Sequence, residues 1–129
     1  MTIRWVPKHL AIGWHAELLE RYGGAAGVRD EGLLEAALDR ARNVFGYEPA
    51  APLTRLATGY AFGLARNHPF IDGNKRVAFA VTVSFLGANG LLLDVAESEA
   101  TRVFLALAAG SLGEPELQAW LEQHCVPVP

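Results

Sequence analysis

Nine consecutive residues of the chain, His68 to Arg76, read HPFIDGNKR. They place an imidazole, a carboxylate, a glycine and two cations between two apolar segments. An imidazole is mostly neutral at pH 7 and can accept a proton from a hydroxyl group. A glycine that leads into a helix leaves backbone N–H groups open, and such groups bind anions. The combination predicts a site that handles a phosphate and a hydroxyl group.

The local sequence indicates that this stretch is a loop that leads into a helix. Pro69 disfavours the α region at His68 and ends the preceding helix, and Gly73 interrupts the residues that follow. In one continuous helix, His68, Asp72 and Arg76 would lie four residues apart and form an ordinary surface ion ladder. The two helix breakers argue against that alternative.

Two cations, Lys75 and Arg76, fall in the first turn of the helix that is predicted to begin at Asn74. The first turn carries partial positive charge, so each cation there is unfavourable by roughly 0.3–1 kcal/mol. A bound anion would remove this cost. Two basic surface residues also occur by chance at helix junctions, so the pattern favours a phosphate site without excluding a plain surface.

Asp72 and His68 have ordinary structural uses as well as chemical ones. Asp72 is either the N-terminal cap of the helix or a Mg²⁺ ligand, since magnesium is often held by one or two carboxylates together with substrate phosphates. His68 is either a half-buried loop histidine bonded to the backbone or the general base of a phosphate site. Phe70 is predicted to be a core anchor that fixes the loop in either case.

Six helices are predicted to position this loop, without a repeat or linker between them. Helix stops and apolar spacing place them at about 8–22, 31–45, 52–67, 74–89, 97–110 and 115–124. Asp30 is expected to cap the second helix. In the third, alanine and glycine at alternate positions from 57 to 65 leave a face with almost no bulk. Another helix is expected to approach that face closely.

The predicted fold class is all-α, a compact bundle of about six helices in one domain over residues 1–129. One minor strand pair is expected at most, and it involves IRWV, residues 3–6. Residues 91–94, LLLD, are expected to be extended. The fourth helix is rich in Val, Phe and Thr, which favour strands, but its length and the glycine at position 90 favour a helix.

Composition and charge argue against several classes of protein. Hydrophobic residues make up 51% of the chain and charged residues 19%, which is typical of a globular protein. The net charge of −3 and the lack of basic runs argue against direct binding of nucleic acid. The longest apolar run, residues 77–88, is too short for a membrane helix. No signal peptide is recognised and the one cysteine and four histidines lack zinc-site spacing, so a cytosolic protein is expected.

The motif resembles the signature loop of the Fic/Doc family. That loop reads His, any residue, Phe, two variable positions of which the second is usually acidic, a small residue, Asn, any residue and Arg. HPFIDGNKR meets every fixed position. The similarity to the small death-on-curing (Doc) toxins of that family extends to RYGGAAGVRDEGLLEAAL, YAFGLARNHPF, VAFAVTVSFLGANG and LAAGSLGEPELQAWL.

The resemblance implies a role for each residue of the motif. His68 is expected to activate a hydroxyl group of the target, and Asp72 is expected to bind Mg²⁺. The phosphates of ATP are expected to contact Gly73, Asn74, Lys75 and Arg76. Of these, Lys75 and Arg76 are also expected to take part in catalysis.

Lys75 determines which reaction the resemblance implies. Fic proteins that transfer AMP usually have glycine between the Asn and the Arg, whereas Doc-like members have lysine. The lysine implies a kinase that uses Mg-ATP, phosphorylates a threonine or serine of elongation factor Tu or another translation protein, and arrests translation. Two alternatives stay open: transfer of AMP or another nucleotide, and a binding module without catalysis.

The resemblance also implies a partner and a docking segment. Some Fic proteins carry an inhibitory helix with the pattern Ser/Thr-x-x-x-Glu-Gly/Asn, which is not found here. A separate Phd-like antitoxin is therefore expected, with its C-terminal segment in an apolar groove, and the mean hydropathy of +0.18 suits such a surface. In the family a flap upstream of the motif aligns the target peptide. The segment from Asn43 to Pro52 is either that flap or a plain interhelical loop.

Overall fold

The structure, a computed structural model, describes residues 2–129 and contains six helices and a two-stranded antiparallel sheet. The helices are α1 (Lys8–Tyr22), α2 (Glu31–Tyr47), α3 (Leu53–Asn67), α4 (Asn74–Ala88), α5 (Glu97–Ala109) and α6 (Glu114–His124). The strands are β1 (Leu91–Leu93) and β2 (Cys125–Pro127). The predicted all-α bundle of six helices is confirmed. In the described residues, every helix is too short or too polar to cross a membrane.

The ends of α2 illustrate how local signals set the helices. Asp30 caps the helix, because its Oδ1 accepts a hydrogen bond from the N–H of Leu33 at 3.0 Å. α2 runs two residues past its predicted end, to Tyr47. Gly46 only weakens a helix, whereas Pro49 disfavours the helical conformation of the residue before it. The helix therefore ends at the proline and not at the glycine.

α3 packs against α2, α4, α5 and α6, and its small residues let α2 approach closely. A Cβ atom added to Gly63 would lie 2.9 Å from the Cα of Ala37, and one added to Gly59 would lie 3.3 Å from the Cα of Ala41. The predicted close approach is confirmed. This contact fixes α3, and with it the loop that follows its last residue.

The first four helices are joined by loops that alternate between two ends of the bundle. The pairs Gly59 with Ala41 and Gly63 with Ala37 show that α2 and α3 run antiparallel. The loop before α2, residues 23–30, and the loop after α3 therefore lie at one end, and the loop between α2 and α3 lies at the other. α3 has 15 residues, so the two ends are about 20 Å apart at 1.5 Å per residue.

The strand predicted at residues 3–6 is wrong, although a minor strand pair exists. The Arg4 N–H donates to Oδ1 of Asn89, and its carbonyl accepts from Nδ2 of Asn89, at 2.9 and 3.0 Å. The N–H of Val6 donates to the hydroxyl of Tyr60 at 3.0 Å. Side chains thus satisfy backbone groups that a strand would have to pair. The strand pair joins β1, the predicted extended segment, to β2.

One cluster of buried apolar side chains includes residues from all six helices. α3 contributes the largest share, and β1 and β2 add partly buried side chains at the edge of the cluster. The described residues thus share a single core, and one domain over residues 1–129 stays a prediction.

Candidate functional site

The loop between α3 and α4, residues 68–73, is called the motif loop here and is built around the ring of Phe70. That ring is 1% exposed and stacks on the imidazole of His15 from α1, with ring centroids 3.8 Å apart. The N–H of Phe70 donates to Oδ1 of Asn74 at 2.9 Å, and its carbonyl accepts from Nδ2 of Asn74 at 3.0 Å. The prediction that Phe70 anchors the loop in the core is confirmed. The Asn74 side chain is occupied within the protein.

The loop between α1 and α2, residues 23–30, is called the α1–α2 loop and packs on the motif loop, backbone to backbone. The N–H of Ile71 donates to the carbonyl of Gly27 at 3.0 Å. The N–H groups of Arg29 and Asp30 both donate to the carbonyl of Pro69, at 2.8 and 3.1 Å. The two loops, which are far apart in the sequence, therefore form one unit.

His68 follows the last residue of α3 in a left-handed conformation, with φ 50° and ψ 57°. It is the one non-glycine residue with positive φ among residues 2–129. Its carbonyl accepts from Nε of Arg29 at 2.7 Å, and the carbonyl of Asn67 accepts from Nη2 of Arg29 at 2.9 Å. The His68 side chain is exposed and forms no hydrogen bond with the described residues. The alternative of a half-buried histidine bonded to the backbone is therefore wrong.

Asp72 is exposed and lies where the two loops meet. Its Oδ1 accepts from the N–H of Gly73 at 2.9 Å, and its Oδ2 accepts from the N–H of Ala25 at 3.3 Å. The N-cap of α4 is Gly73, with φ 77°, and no side chain caps this helix. The capping role considered for Asp72 is therefore wrong. A carboxylate accepts about four hydrogen bonds, so lone pairs remain for a cation.

The first turn of α4 offers backbone N–H groups and cations, without an acidic residue. Val77 donates the first helical hydrogen bond, so the N–H groups of Asn74, Lys75 and Arg76 have no helical acceptor. Both cations are exposed, and neither forms an ion pair within residues 2–129. The Cζ of Arg76 lies 4.5 Å from the centre of the Tyr22 ring. An anion fits here because it would neutralise the helix dipole and both cations.

Magnesium fits this site as an ion shared between Asp72 and phosphate oxygens. Within residues 2–129 no group of three or more His, Cys, Asp or Glu could hold a metal. Mg²⁺ is commonly bound by one or two carboxylates, waters and substrate phosphates. The single carboxylate of Asp72 lies beside a helix start whose charge suits an anion, so it could hold such an ion together with a phosphate group.

The segment from Asn43 to Pro52 lies at the opposite end of α3 from the motif loop. Residues 43–47 belong to α2, and the remainder forms a turn in which the N–H of Ala51 donates to the carbonyl of Glu48 at 2.9 Å. At about 20 Å along the helix, this segment is too far to align a peptide at His68. Of the two alternatives for this segment, the structure thus supports the plain interhelical loop and not the flap. The upstream loop that is bonded to the motif loop is instead the α1–α2 loop.

A groove of about 280 Å³ lies between α1 and α4. Its lining is mostly apolar and consists of Trp14, Glu17, Leu18, Arg21, Phe79, Ala80, Val83 and Ser84. A groove of this kind can take the apolar face of a helix or an extended segment from a partner.

Three residues that shape the site were missed by the sequence reasoning. His15 has its Nε2 2.7 Å from the carbonyl oxygen of Asp72, so its ring holds the loop at two points. Arg29 holds the end of α3. Gly24, with φ 125°, leaves room for Asp72, since a Cβ there would lie 2.9 Å from Oδ2. The one signal in the sequence was that the glycine-rich stretch RYGGAAGVRD formed part of the family resemblance.

Comparison with known proteins places this arrangement in a family. A sequence model described as Fic/DOC family matches residues 5–86, which include the α1–α2 loop and the motif loop. The chain is 44% identical over 73 residues to "Toxin Doc" of Mycolicibacterium smegmatis, covering 56% of this chain and 56% of that protein. It is 34% identical over 89 residues to "Protein kinase doc" of Escherichia phage P1, covering 69% of this chain and 71% of the phage protein. The match thus spans little more than half the length of the first relative. The chain belongs to the Fic/DOC family.

Proposed function

We propose that this protein is a toxin that transfers the terminal phosphate of Mg-ATP to a serine or threonine hydroxyl of a translation protein. The observation that carries the proposal is the exposed imidazole of His68 at the beginning of the motif loop. That short loop leads directly into the first turn of α4, which has no acidic residue and two cations without an ion pair among the described residues. Two relatives support it by name, since one is called a toxin and the other a protein kinase. Elongation factor Tu is the first target to test, because of the resemblance to Doc toxins.

In the proposed reaction His68 removes the proton from the target hydroxyl while the hydroxyl oxygen attacks the terminal phosphorus. The bond from that phosphorus to the bridging oxygen of ADP breaks, and ADP leaves with the electron pair. Lys75 and Arg76 bind phosphate oxygens and stabilise their negative charge. Magnesium, held at Asp72, supplies further positive charge against the phosphates.

Gly73 and Asn74 contribute mainly through the backbone. The positive φ of Gly73 turns the chain into α4 so that the following N–H groups point out of the helix end. Both polar atoms of the Asn74 side chain are hydrogen-bonded to the backbone of Phe70. The group that Asn74 offers to a phosphate is therefore its backbone N–H. Asn74 therefore binds the anion and closes the motif loop with different atoms.

We propose that the target peptide docks along the α1–α2 loop. The first five residues of this loop, 23–27, are exposed, and its backbone is bonded directly to the motif loop. A peptide that lies there reaches His68 and Asp72 without crossing the bundle. The fit of an extended segment to such a loop rests mainly on backbone hydrogen bonds.

The partner that we propose is a Phd-like antitoxin whose C-terminal segment occupies the groove between α1 and α4. Trp14, Leu18, Phe79 and Val83 give that groove its apolar lining. The proposed place of action is the bacterial cytoplasm, where translation proteins are found. Direct contacts with nucleic acid or a membrane are not part of the proposal.

The test is an incubation of the purified chain with Mg²⁺, a bacterial lysate or purified elongation factor Tu, and ATP labelled at either the α or the γ phosphate. We expect protein-bound label from the γ position only. His68→Ala should lower the rate by about 10²–10⁴-fold, the usual contribution of a general base. His9→Ala, which removes another exposed histidine, is the matched control and should be as active as the unmodified chain.

Each other outcome contradicts a named part of the proposal. Label from the α position means nucleotidyl transfer in spite of Lys75. Label from neither position, with a folded protein, favours the binding module without catalysis. A His68→Ala variant that is fully active excludes His68 as the base.

A further inference from the structure

The geometry points to Arg29 as a positioning residue that holds His68 in its reactive conformation, an inference that rests on the proposed function. Arg29 lies outside the motif, near the end of the α1–α2 loop, and its side chain crosses to the C-terminus of α3. It touches no group that reacts, so any effect on catalysis acts through His68.

Arg29 binds the carbonyl groups of three consecutive residues. Its Nε donates to the carbonyl of His68 at 2.7 Å, and its Nη2 donates to the carbonyl of Asn67 at 2.9 Å. Its backbone N–H donates to the carbonyl of Pro69 at 2.8 Å. The peptide groups on both sides of His68 are therefore fixed by one residue.

His68 needs such support because its backbone conformation is intrinsically unfavourable. A left-handed conformation is disfavoured for L-residues other than glycine, and it persists where the surroundings hold it. The residue before a proline also prefers the extended region. With its φ of 50°, His68 adopts a conformation that goes against both of these preferences. If Arg29 were removed, the backbone would relax and carry the imidazole away from its place.

The shape and charge of arginine suit this task. The planar guanidinium presents several N–H groups in a fixed fork, so it can reach two neighbouring carbonyls at once, whereas the lysine ammonium is a single point charge. A cation at the C-terminus of a helix also interacts favourably with the helix dipole. Arg29 forms no ion pair with a carboxylate within residues 2–129, which leaves its side chain to the α3 carbonyls.

The kinetic test uses phosphate transfer from γ-labelled ATP to lysate protein, measured against ATP concentration. Arg29→Ala should lower kcat roughly 10- to 100-fold, since a displacement of about 1 Å of a reacting group can reduce the rate about 100-fold. The KM for ATP should change by less than about twofold, because the phosphates bind at the start of α4. Arg29→Lys should recover part of the rate.

Two control variants separate positioning from a general loss of charge. Arg55→Ala removes a cation at the opposite end of α3, where Arg55 lies 3.5 Å from Glu48, and should leave kcat unchanged. In a His68→Ala background, Arg29→Ala should cause no further loss of the residual rate. A further loss there, or an unchanged kcat in the single variant, would overturn the inference.

A second readout does not depend on activity. NMR couplings and the Cα chemical shift of His68 report its φ angle, which should be positive in the unmodified chain and negative in Arg29→Ala. A positive φ retained in Arg29→Ala overturns the inference. If Arg29→Ala does not fold, Arg29→Lys takes its place in both measurements. If the unmodified chain transfers no more label to protein than His68→Ala does, the proposed function is refuted. The NMR result would then still decide whether Arg29 holds the backbone of His68.

Discussion

Replacing Asn74 with alanine should destabilise the whole protein, because its side chain closes the motif loop. The amide of Asn74 is bonded to both the N–H and the carbonyl of Phe70, at 2.9 and 3.0 Å. Phe70 is 1% exposed and Asn74 is 8% exposed. Alanine leaves both backbone groups of Phe70 without a partner in a place that water reaches poorly.

The size of the effect follows from the two lost bonds. An unsatisfied buried polar group costs about 1–3 kcal/mol, so the pair amounts to about 2–4 kcal/mol once some access of water is allowed. For 129 residues, an unfolding entropy of about 2.1 cal/mol/K per residue gives about 0.27 kcal/mol/K. The unfolding midpoint should therefore fall by roughly 7–15 °C.

Thermal unfolding followed by far-UV circular dichroism measures this shift directly. Asn67→Ala is the matched control, because the side chain of Asn67 forms no hydrogen bond with the described residues. The variant also keeps the hydrogen bond from Arg29 to the backbone carbonyl of residue 67. It should change stability by less than about 0.5 kcal/mol. Asn74→Asp keeps an acceptor for the Phe70 N–H but loses the donor, so it should give an intermediate loss.

The opposite pattern would refute this reasoning. If Asn74→Ala kept the midpoint of the unmodified chain and lost affinity for ATP, the side chain would contact the nucleotide and not the loop. Isothermal titration with Mg-ATP, at a temperature where both variants are folded, makes the distinction.

Three further predictions follow from named contacts. Asp72→Asn keeps the hydrogen bond to Gly73 but removes the negative charge. The Mg²⁺-dependent part of the affinity for ATP should therefore fall about tenfold, or about 1.4 kcal/mol, in titrations with and without Mg²⁺. Equal Mg²⁺ dependence in the variant and the unmodified chain would contradict this. Gly63→Ala forces α2 and α3 apart and should lower the free energy of unfolding, measured with urea, by about 1–3 kcal/mol. Gly46→Ala is the control, because no atom lies within 4 Å of the added Cβ. It should be neutral or stabilising by up to about 1 kcal/mol. Burial raises the pKa of the Tyr60 hydroxyl in the folded chain, so on raising the pH the unfolded chain loses this proton first. The free energy of unfolding should therefore fall as the pH rises above about 10 and through the folded pKa. Urea midpoints at neutral and alkaline pH should show that fall in the unmodified chain and less of it in Tyr60→Phe.

Local signals in the sequence predicted the helices and the form of the motif loop. Asp30 caps α2 as its side chain suggested, and Pro69 with Gly73 sets the motif loop between two helices. These features depend on residues within one turn of each other. The alanine and glycine face of α3 also predicted its packing, because the absence of side-chain bulk is itself visible in the sequence.

Contacts between distant residues could not be predicted in the same way. His15 and Arg29 shape the motif loop from other elements, and neither has a pattern around it that indicates a partner. The strand partner of β1 lies at residues 125–127, and residues 3–6 are bonded to side chains instead. For the segment from Asn43 to Pro52, the flap and the plain interhelical loop both stayed open, because the sequence gives only the order of segments along the chain. Position in space depends on which end of the antiparallel bundle a loop occupies, and the segment from Asn43 to Pro52 lies at the wrong end.

The bonding of the two loops determines when the site forms during folding. One loop belongs to the first two helices and the other to α3 and α4, so the bonds between Arg29 and Pro69 and between Ile71 and Gly27 can form only when these helix pairs have docked. The amides of Arg29 and Ile71 should then become protected from hydrogen exchange at that late step, after those inside the helices. A chain whose helices have formed but have not docked contains the complete motif and lacks the geometry that we propose for phosphate transfer.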